Sequence, residues 1–303
     1  MHENSSIVEA LSHSLVVWIL FSAAGFVPLL PFAVLGTVIP DADIFYSFIS
    51  DKAPSLYLFT HGGISHSLAG AFFLSVLSYG VVTSIALIGI IPFSLVAIGG
   101  VSGFVAVLTG SLLHLAIDVL ACPGIPLLAP VSDRKYTIGI LPGPSILLAC
   151  AAVGLVLVTV PWLMEFSFAL HFYTLIVLIY LAVRGVFFLY AGIRIQGRKV
   201  PKVNPFSWLA ISEEEDHCTV QEYSLVRGVI HESVFLRYKH TSAEEAKSAL
   251  RLPEVRRLLY YSYCVIAERI GPELILSDPL RENGYLYYPP HYTRVAVPVG
   301  DQP

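Results

Sequence analysis

The chain has 303 residues, of which 55% are hydrophobic and only 13% charged, with a mean hydropathy of +0.72, a balance that excludes an ordinary water-soluble globular domain and indicates a polytopic membrane protein. The net charge of −4, with no basic tract beyond 194–202, excludes the clustered Lys and Arg of a nucleic-acid-binding surface. Cys122, Cys150, Cys218 and Cys264 lie scattered without CxxC spacing, which argues against a zinc knuckle and against a disulfide framework.

Taken in chain order, the N-terminus carries Glu3 and Glu9 but no Lys or Arg and lacks a small-residue cleavage site, so no removable signal peptide is expected and the first apolar segment should stay. Apolar stretches able to cross about 30 Å of hydrocarbon run over 7–24, 66–91, 94–121, 143–164 and 168–193. A shorter one, 28–39, ends at Pro40 and reaches only about half-way at ~1.5 Å per residue. Residues 7–39 therefore read as a helical hairpin broken around Gly25, Phe26, Val27 and Pro28, with one tilted span as the alternative. The expected membrane domain is all-α, with five to six transmembrane helices over 1–200. Lys52, Arg134, Lys135, Arg194, Arg198, Lys199 and Lys202 place the loops 41–65 and 122–142 and everything after the last span on the cytoplasmic side.

From about Pro205 the character changes, and Glu213, Glu214, Glu215 and Asp216 open a polar region. Residues 201–303 read as a small cytoplasmic α+β domain. Strand-like runs cover 218–225, 229–238 and 285–299, a helix covers 243–250, and 255–270 is rich in apolar residues. Ser242 with Glu245 three residues on forms a capping box at the start of that helix.

Seven His and Asp residues punctuate the apolar first 120 positions: His13, Asp41, Asp43, His61, His66, His114 and Asp118. Ionisable side chains are costly in hydrocarbon, so among membrane segments they mark function by default. His114 and Asp118 stand four apart near the cytoplasmic end of a span and share a helix face. Asp41 and Asp43 follow Pro40, which disfavours helix for its predecessor, and two neighbouring carboxylates call for a cation between them. His61 and His66 flank Gly62 and Gly63, where the backbone can approach a ligand closely. His13 returns to the same level if 7–39 is a hairpin. Each motif alone has a structural reading: an interhelical hydrogen bond for His13, a capped turn for the two Asp, a loop and a cap neighbour for the two His, and a His–Asp pair for 114 and 118. Convergence of all seven on one membrane face favours a metal site.

The early His, the Pro40-Asp41-Ala42-Asp43 run, the His61-x4-His66-Ser67 step, and Gly110-x3-His114-x3-Asp118 followed by Pro130-Val131-Ser132-Asp133-Arg134-Lys135-Tyr136 resemble the YbcI/YdjM-type membrane-bound metal-dependent hydrolases over about 8–140. That family is considered similar to the zinc-dependent phospholipase C and P1 nuclease group, all-α proteins with His and Asp around a zinc cluster. Asn204-Pro205-Phe206-x-Trp208 is similar to an extension found on a subset of its members. One departure stands out: the family commonly has His-Arg-Gly where this chain has His61-Gly62-Gly63.

The resemblance implies a metal-dependent hydrolase, and Asp oxygens with His nitrogens and no Cys suit Zn²⁺, with Mn²⁺ or Fe²⁺ as alternatives, in two or more ions. His66, His114, Asp118 and Asp43 are the first-ranked ligands, followed by Asp41, His61 and His13; Asp41 is also the candidate bridge or general base. Arg134 and Lys135 are the cations available for a phosphate head group, or else topology determinants. The expected substrate is a lipid or lipid-linked phosphoester, and the expected location is the cell membrane. Competing readings are a metal transporter or sensor, and an anchor for a binding domain. Arg184 lies mid-span outside the expected site; Glu165 and His171 read as solvated, and His217, His231, His240 and His291 lack metal-like spacing.

Overall fold

The computed structural model describes residues 2–143, 148, 150–155, 157, 166–287 and 292–298. Its contacts divide the chain into two units, 1–49 with 58–185, and 50–57 with 186–303.

In the first unit, α1 (His2–Ala23) ends before Gly25, whose φ of +79° turns the chain, and after a 3₁₀ turn (Val27–Leu29) α2 (Leu30–Val38) runs back along α1. Val17 and Phe21 of α1 pack on Leu30, Phe32 and Ala33 of α2, so the hairpin reading holds over the tilted-span alternative. Pro40 does not stop the helix as expected: Ile39 stays right-handed (φ −62°, ψ −38°), and Pro40–Phe45 tightens into a 3₁₀ helix leading to α3 (Phe48–Lys52). The apolar stretch expected to reach half-way therefore continues as a candidate span, Val27–Ser50.

After a second 3₁₀ turn (Ile64–His66), α4 (Leu68–Leu87) and α5 (Phe93–Asp118) form the next hairpin, α5 being kinked at Gly100. The last span belongs to α6 (Phe166–Arg194). Among the described residues four helical stretches qualify as spans, fewer than the five to six expected. At the N-terminus, Ala10–Ala23 is an apolar helix of about 21 Å, shorter than a span. The expected span 143–164 falls largely outside the described residues, as do Glu165 and His291.

The closest helix contact positions the site. A Cβ on Gly36 would meet Val107 O at 1.9 Å, and one on Gly110 would meet Ala33 O at 2.0 Å, so α2 and α5 touch backbone to backbone. Small residues permit such crossings where lipid leaves packing to do the work. Ser111 Oγ donates to Gly36 O at 2.8 Å and faces Ser75 Oγ of α4 at 3.1 Å, which ties three helices together one turn from His114. Past Asp118, residues 119–142 fold back: Ile138 N donates to Val119 O, and Leu68 N to Leu127 O. Arg184, 1% exposed, does not snorkel; its Nε and Nη2 donate to Ile140 O at 3.2 and 3.1 Å.

The second unit is α+β. One antiparallel sheet has the order β1 (Arg198–Pro201), β2 (Ser207–Glu213), β3 (His217–Ser224), β4 (Gly228–Leu236); the other has β5 (Tyr238–Lys239) parallel to β6 (Ile266–Ile270), then β7 (Glu273–Ser277) and β8 (Arg294–Pro298). Helix α7 (Ala243–Ala249) begins at the Ser242 cap and α8 (Pro253–Tyr261) follows; Val255 and Leu258 pack on Leu274 and Leu276. Of the expected strand 285–299, 285–287 are not strand, 294–298 are, and 288–291 and 299 lie outside the described residues. The Asn204-Pro205-Phe206-x-Trp208 entry is a built turn: Phe206 N donates to Asn204 Oδ1, and the buried Trp208 gives its Nε1–H to Pro205 O at 3.1 Å. Val at position 110 is expected to force α2 and α5 apart at a cost of about 1–3 kcal/mol, the range for overpacking a tight contact. Thermal unfolding of Gly110→Val beside Gly80→Val, whose Cβ has open space, checks this by a lowered midpoint in the first alone.

Candidate metal centre

Four elements of the first unit bring all seven predicted residues into one cluster. Helix α1 supplies His13, the 3₁₀ helix Pro40–Phe45 supplies Asp41 and Asp43, the 58–67 segment supplies His61 and His66, and α5 supplies His114 and Asp118. His114 and Asp118 share a face because they are four apart on an α-helix. Asp41 and Asp43 point different ways, because two positions in a 3₁₀ helix of three residues per turn correspond to about 240°.

His66 Nε2 and His114 Nε2 lie 3.2 Å apart. Asp41 Oδ1 sits 3.4 Å from the first and 3.6 Å from the second; Asp118 Oδ2 sits 3.4 and 3.2 Å from them. These five separations bracket the ~3.3 Å expected between neighbouring ligand atoms around a tetrahedral ion with bonds of about 2.0–2.1 Å. Asp118 presents its other oxygen, Oδ1, to His13 Nε2 at 3.8 Å, and the His13 ring meets the His114 ring edge-on with centroids 4.5 Å apart. Two triads can thus each gather ligand atoms within 4.8 Å, one of Asp41, His66 and His114 and one of His13, His114 and Asp118. His114 belongs to both, and the Asp118 carboxylate faces both sets of nitrogens.

A divalent ion fits this donor set. The two Nε2 atoms cannot both be lone pairs at 3.2 Å unless a proton or a cation lies between them. Asp41 Oδ2 is buried with no hydrogen-bond partner, as are His13 Nδ1 and His114 Nδ1, and a buried carboxylate oxygen without a donor is unfavourable unless a positive charge compensates it. His66 and His61 lie outside the spans. Burial opposes charge on His66, but its hydrogen bonds to Asp41 and Asp43 and the nearby carboxylates outweigh this and hold its pKa well above the ordinary histidine value. Burial also opposes charge on His61, whose bond to Asp43 raises its pKa nonetheless.

Asp43 behaves differently from the ligand role expected of it. Its Oδ1 takes His61 Nδ1 at 2.8 Å, and its Oδ2 accepts Gly62 N at 3.0 Å and Ser65 Oγ at 2.7 Å while lying 3.2 Å from His66 Nδ1. With its oxygens so occupied it stands behind the two imidazoles and fixes their orientation, and a proton held on His66 Nδ1 leaves Nε2 to face the centre. His61 likewise directs Nδ1 to Asp43 and belongs to neither triad. Ser65 and the Gly62 amide were not predicted as site residues. Gly62 has φ +69°, a region that favours glycine, and in that conformation its amide is the main-chain donor to Asp43. Arg134 is exposed, over the Tyr136 ring at 5.8 Å with its amide on Ser132 Oγ, and touches none of the seven.

The family model for YdjM inner membrane protein matches residues 10–191, a stretch that contains all seven residues. No curated protein and no solved structure matches the chain.

Because His114 serves both triads, His114→Ala is expected to abolish metal binding, whereas His13→Ala should remove about one ion of two. Asp43→Asn should leave the stoichiometry unchanged but weaken affinity by about 10–100-fold, as loss of an orienting partner does. Metal content by mass spectrometry after dialysis at graded free Zn²⁺ reads all three.

Proposed function

The chain belongs to the YdjM inner membrane protein family, and from that premise we propose that it is a membrane-embedded metal-dependent hydrolase, a phosphoesterase acting on a lipid or lipid-linked phosphoester at the cytoplasmic membrane face. The observation that carries this reading is the convergence of His66 Nε2, His114 Nε2, Asp41 Oδ1 and Asp118 Oδ2 at ligand-to-ligand separations of 3.2–3.6 Å.

The donor set of imidazole and carboxylate without thiolate suits Zn²⁺, Mn²⁺ or Fe²⁺. When bound, such an ion supplies Lewis acidity toward a phosphoryl oxygen and lowers the pKa of water. The protein's own groups do the rest. Asp41 holds Oδ1 in the cluster and keeps Oδ2 buried and unpartnered, within the same group as the reacting atoms, so it is suited to accept the proton of the attacking water. Asp43 and Ser65 hold His66 rigid, and Asp118 lies between His13 and His114. Arg134 is left outside this machinery, since its guanidinium lies on Tyr136; neutralisation of the phosphate then falls to the centre itself. A similarity to the phospholipase C and P1 nuclease group fits the same chemistry.

A lipid substrate follows from location: His66, His114 and Asp118 sit at or beside the ends of the spans Leu68–Leu87 and Gly99–Asp118, where a head group arriving laterally meets them. The cytoplasmic placement of the site and of the C-terminal unit follows from the basic residues at 52, 134–135 and 194–202. A fluorescent-protein fusion after residue 303 should fluoresce in cells and a periplasmic alkaline phosphatase fusion there should be inactive; the opposite pair of results would invert the topology.

The activity test uses full-length protein in detergent with Zn²⁺ or Mn²⁺, offered phosphatidic acid, a polyprenyl diphosphate and a soluble nucleoside monophosphate. Release of phosphate from a lipid-borne ester is expected, reduced about 10²–10⁴-fold in Asp41→Asn, the scale of a lost general base. Stoichiometric metal with no ester cleaved would instead favour a transporter or sensor.

A further inference from the structure

The second unit holds a cavity of about 110 Å³ that the metal chemistry does not use. Its apolar side is Leu250, Leu259 and Leu276; its polar side includes Arg237, Glu213 and Ser262. We propose that this cavity binds a small organic carboxylate with a short branched or linear apolar body, held by Arg237.

Three observations converge on that ligand. First, Arg237 Nε is buried and makes no hydrogen bond, although Nη1 is engaged by Glu214 O at 3.0 Å. A buried guanidinium N–H without an acceptor, on a residue of the cavity lining, matches a carboxylate oxygen, the acceptor this fork recognises best. Second, the charged groups of the lining are Arg237 and Glu213, whose Oε2 lies 3.9 Å from Arg237 Nη1, so the lining is near neutral and suits a singly charged anion with an apolar body better than a phosphate dianion, which Glu213 would repel more strongly. Third, the leucine side supplies no donors and needs an apolar occupant, and a cavity somewhat under the 150 Å³ that accommodates benzene takes about four to six heavy atoms, the size of isobutyrate. Ser262 Oγ already accepts from Arg281 Nη2 at 2.9 Å, so its hydroxyl hydrogen is directed away from that bond.

The test is calorimetric titration of the full-length chain in detergent with isobutyrate, beside 2-methylpropanol as the uncharged analogue and inorganic phosphate as the apolar-free anion. Isobutyrate is expected to bind in the millimolar range or tighter, the other two at least about tenfold more weakly, and Arg237→Gln should reduce isobutyrate affinity about tenfold or more. Leu259→Trp, which fills the apolar side without touching the charge, should do the same and keeps the test decisive if Arg237→Gln does not fold. Failure of isobutyrate to bind, equal binding of phosphate or the alcohol, or binding unchanged in a folded variant would overturn the proposal. Metal content is expected to stay the same in both variants, so the result stands apart from the hydrolase reading.

Discussion

The structure of the first unit turns on one electrostatic constraint: carboxylates carried on apolar helices must meet positive charge or donors inside the protein. Asp41, Asp43 and Asp118 are all buried or nearly so, and among the described residues no Lys or Arg touches them. Among the described residues their ion-pair partners are histidines. Asp43 is satisfied within the protein by His61, Gly62, Ser65 and His66. Asp41 and Asp118 are not satisfied in that way, because each faces ring nitrogens that also face one another. The two kinds of carboxylate, one closed by donors and two open toward a shared centre, divide the cluster into an orienting layer and a ligand layer.

That division depends on helix approach. His114 follows Gly110 by one turn on α5, and Asp41 follows Gly36 by five residues on the other side of the contact. Each glycine meets main chain of the other helix, so α2 and α5 cross with no side chain between them at this level. A wider crossing would pull Asp41 away from His114 and open the 3.6 Å separation. The serine hydroxyl of Ser111 on Gly36 O fixes the register of the same pair. A small-residue contact, chosen by packing in lipid, thereby sets the ligand geometry one turn away.

Much of this was legible in the sequence, for reasons that can be named. Spacing of four on a long apolar helix gives His114 and Asp118 a common face without any tertiary information, and a Gly-Phe-Val-Pro interruption marks a hairpin. Roles within the cluster were less legible. Sequence alone ranks Asp43 ahead of Asp41 as a ligand, and only the 3₁₀ path after Pro40 sends Asp41 to the centre and Asp43 behind His66. Ser65 is an ordinary serine until His66 and Asp43 stand on either side of it. In the second unit, β1 and β7 are short and mixed in polarity, so their pairing with β2 and β6 is a tertiary fact that local pattern does not carry.

The order of elements along the chain adds a last consequence. Between Asp43 and His61, which are hydrogen-bonded to each other, the residues Ser50–Tyr57 belong to the second unit. There Arg257 of α8 donates to Ser50 O and Tyr57 lies against Tyr260. The two partners of one orienting bond are therefore the two ends of a loop whose middle is held by α8. Loop-closure cost grows only slowly with loop length, so the segment between Asp43 and His61 can carry Ser50–Tyr57 into the second unit while the hydrogen bond holds its two ends together.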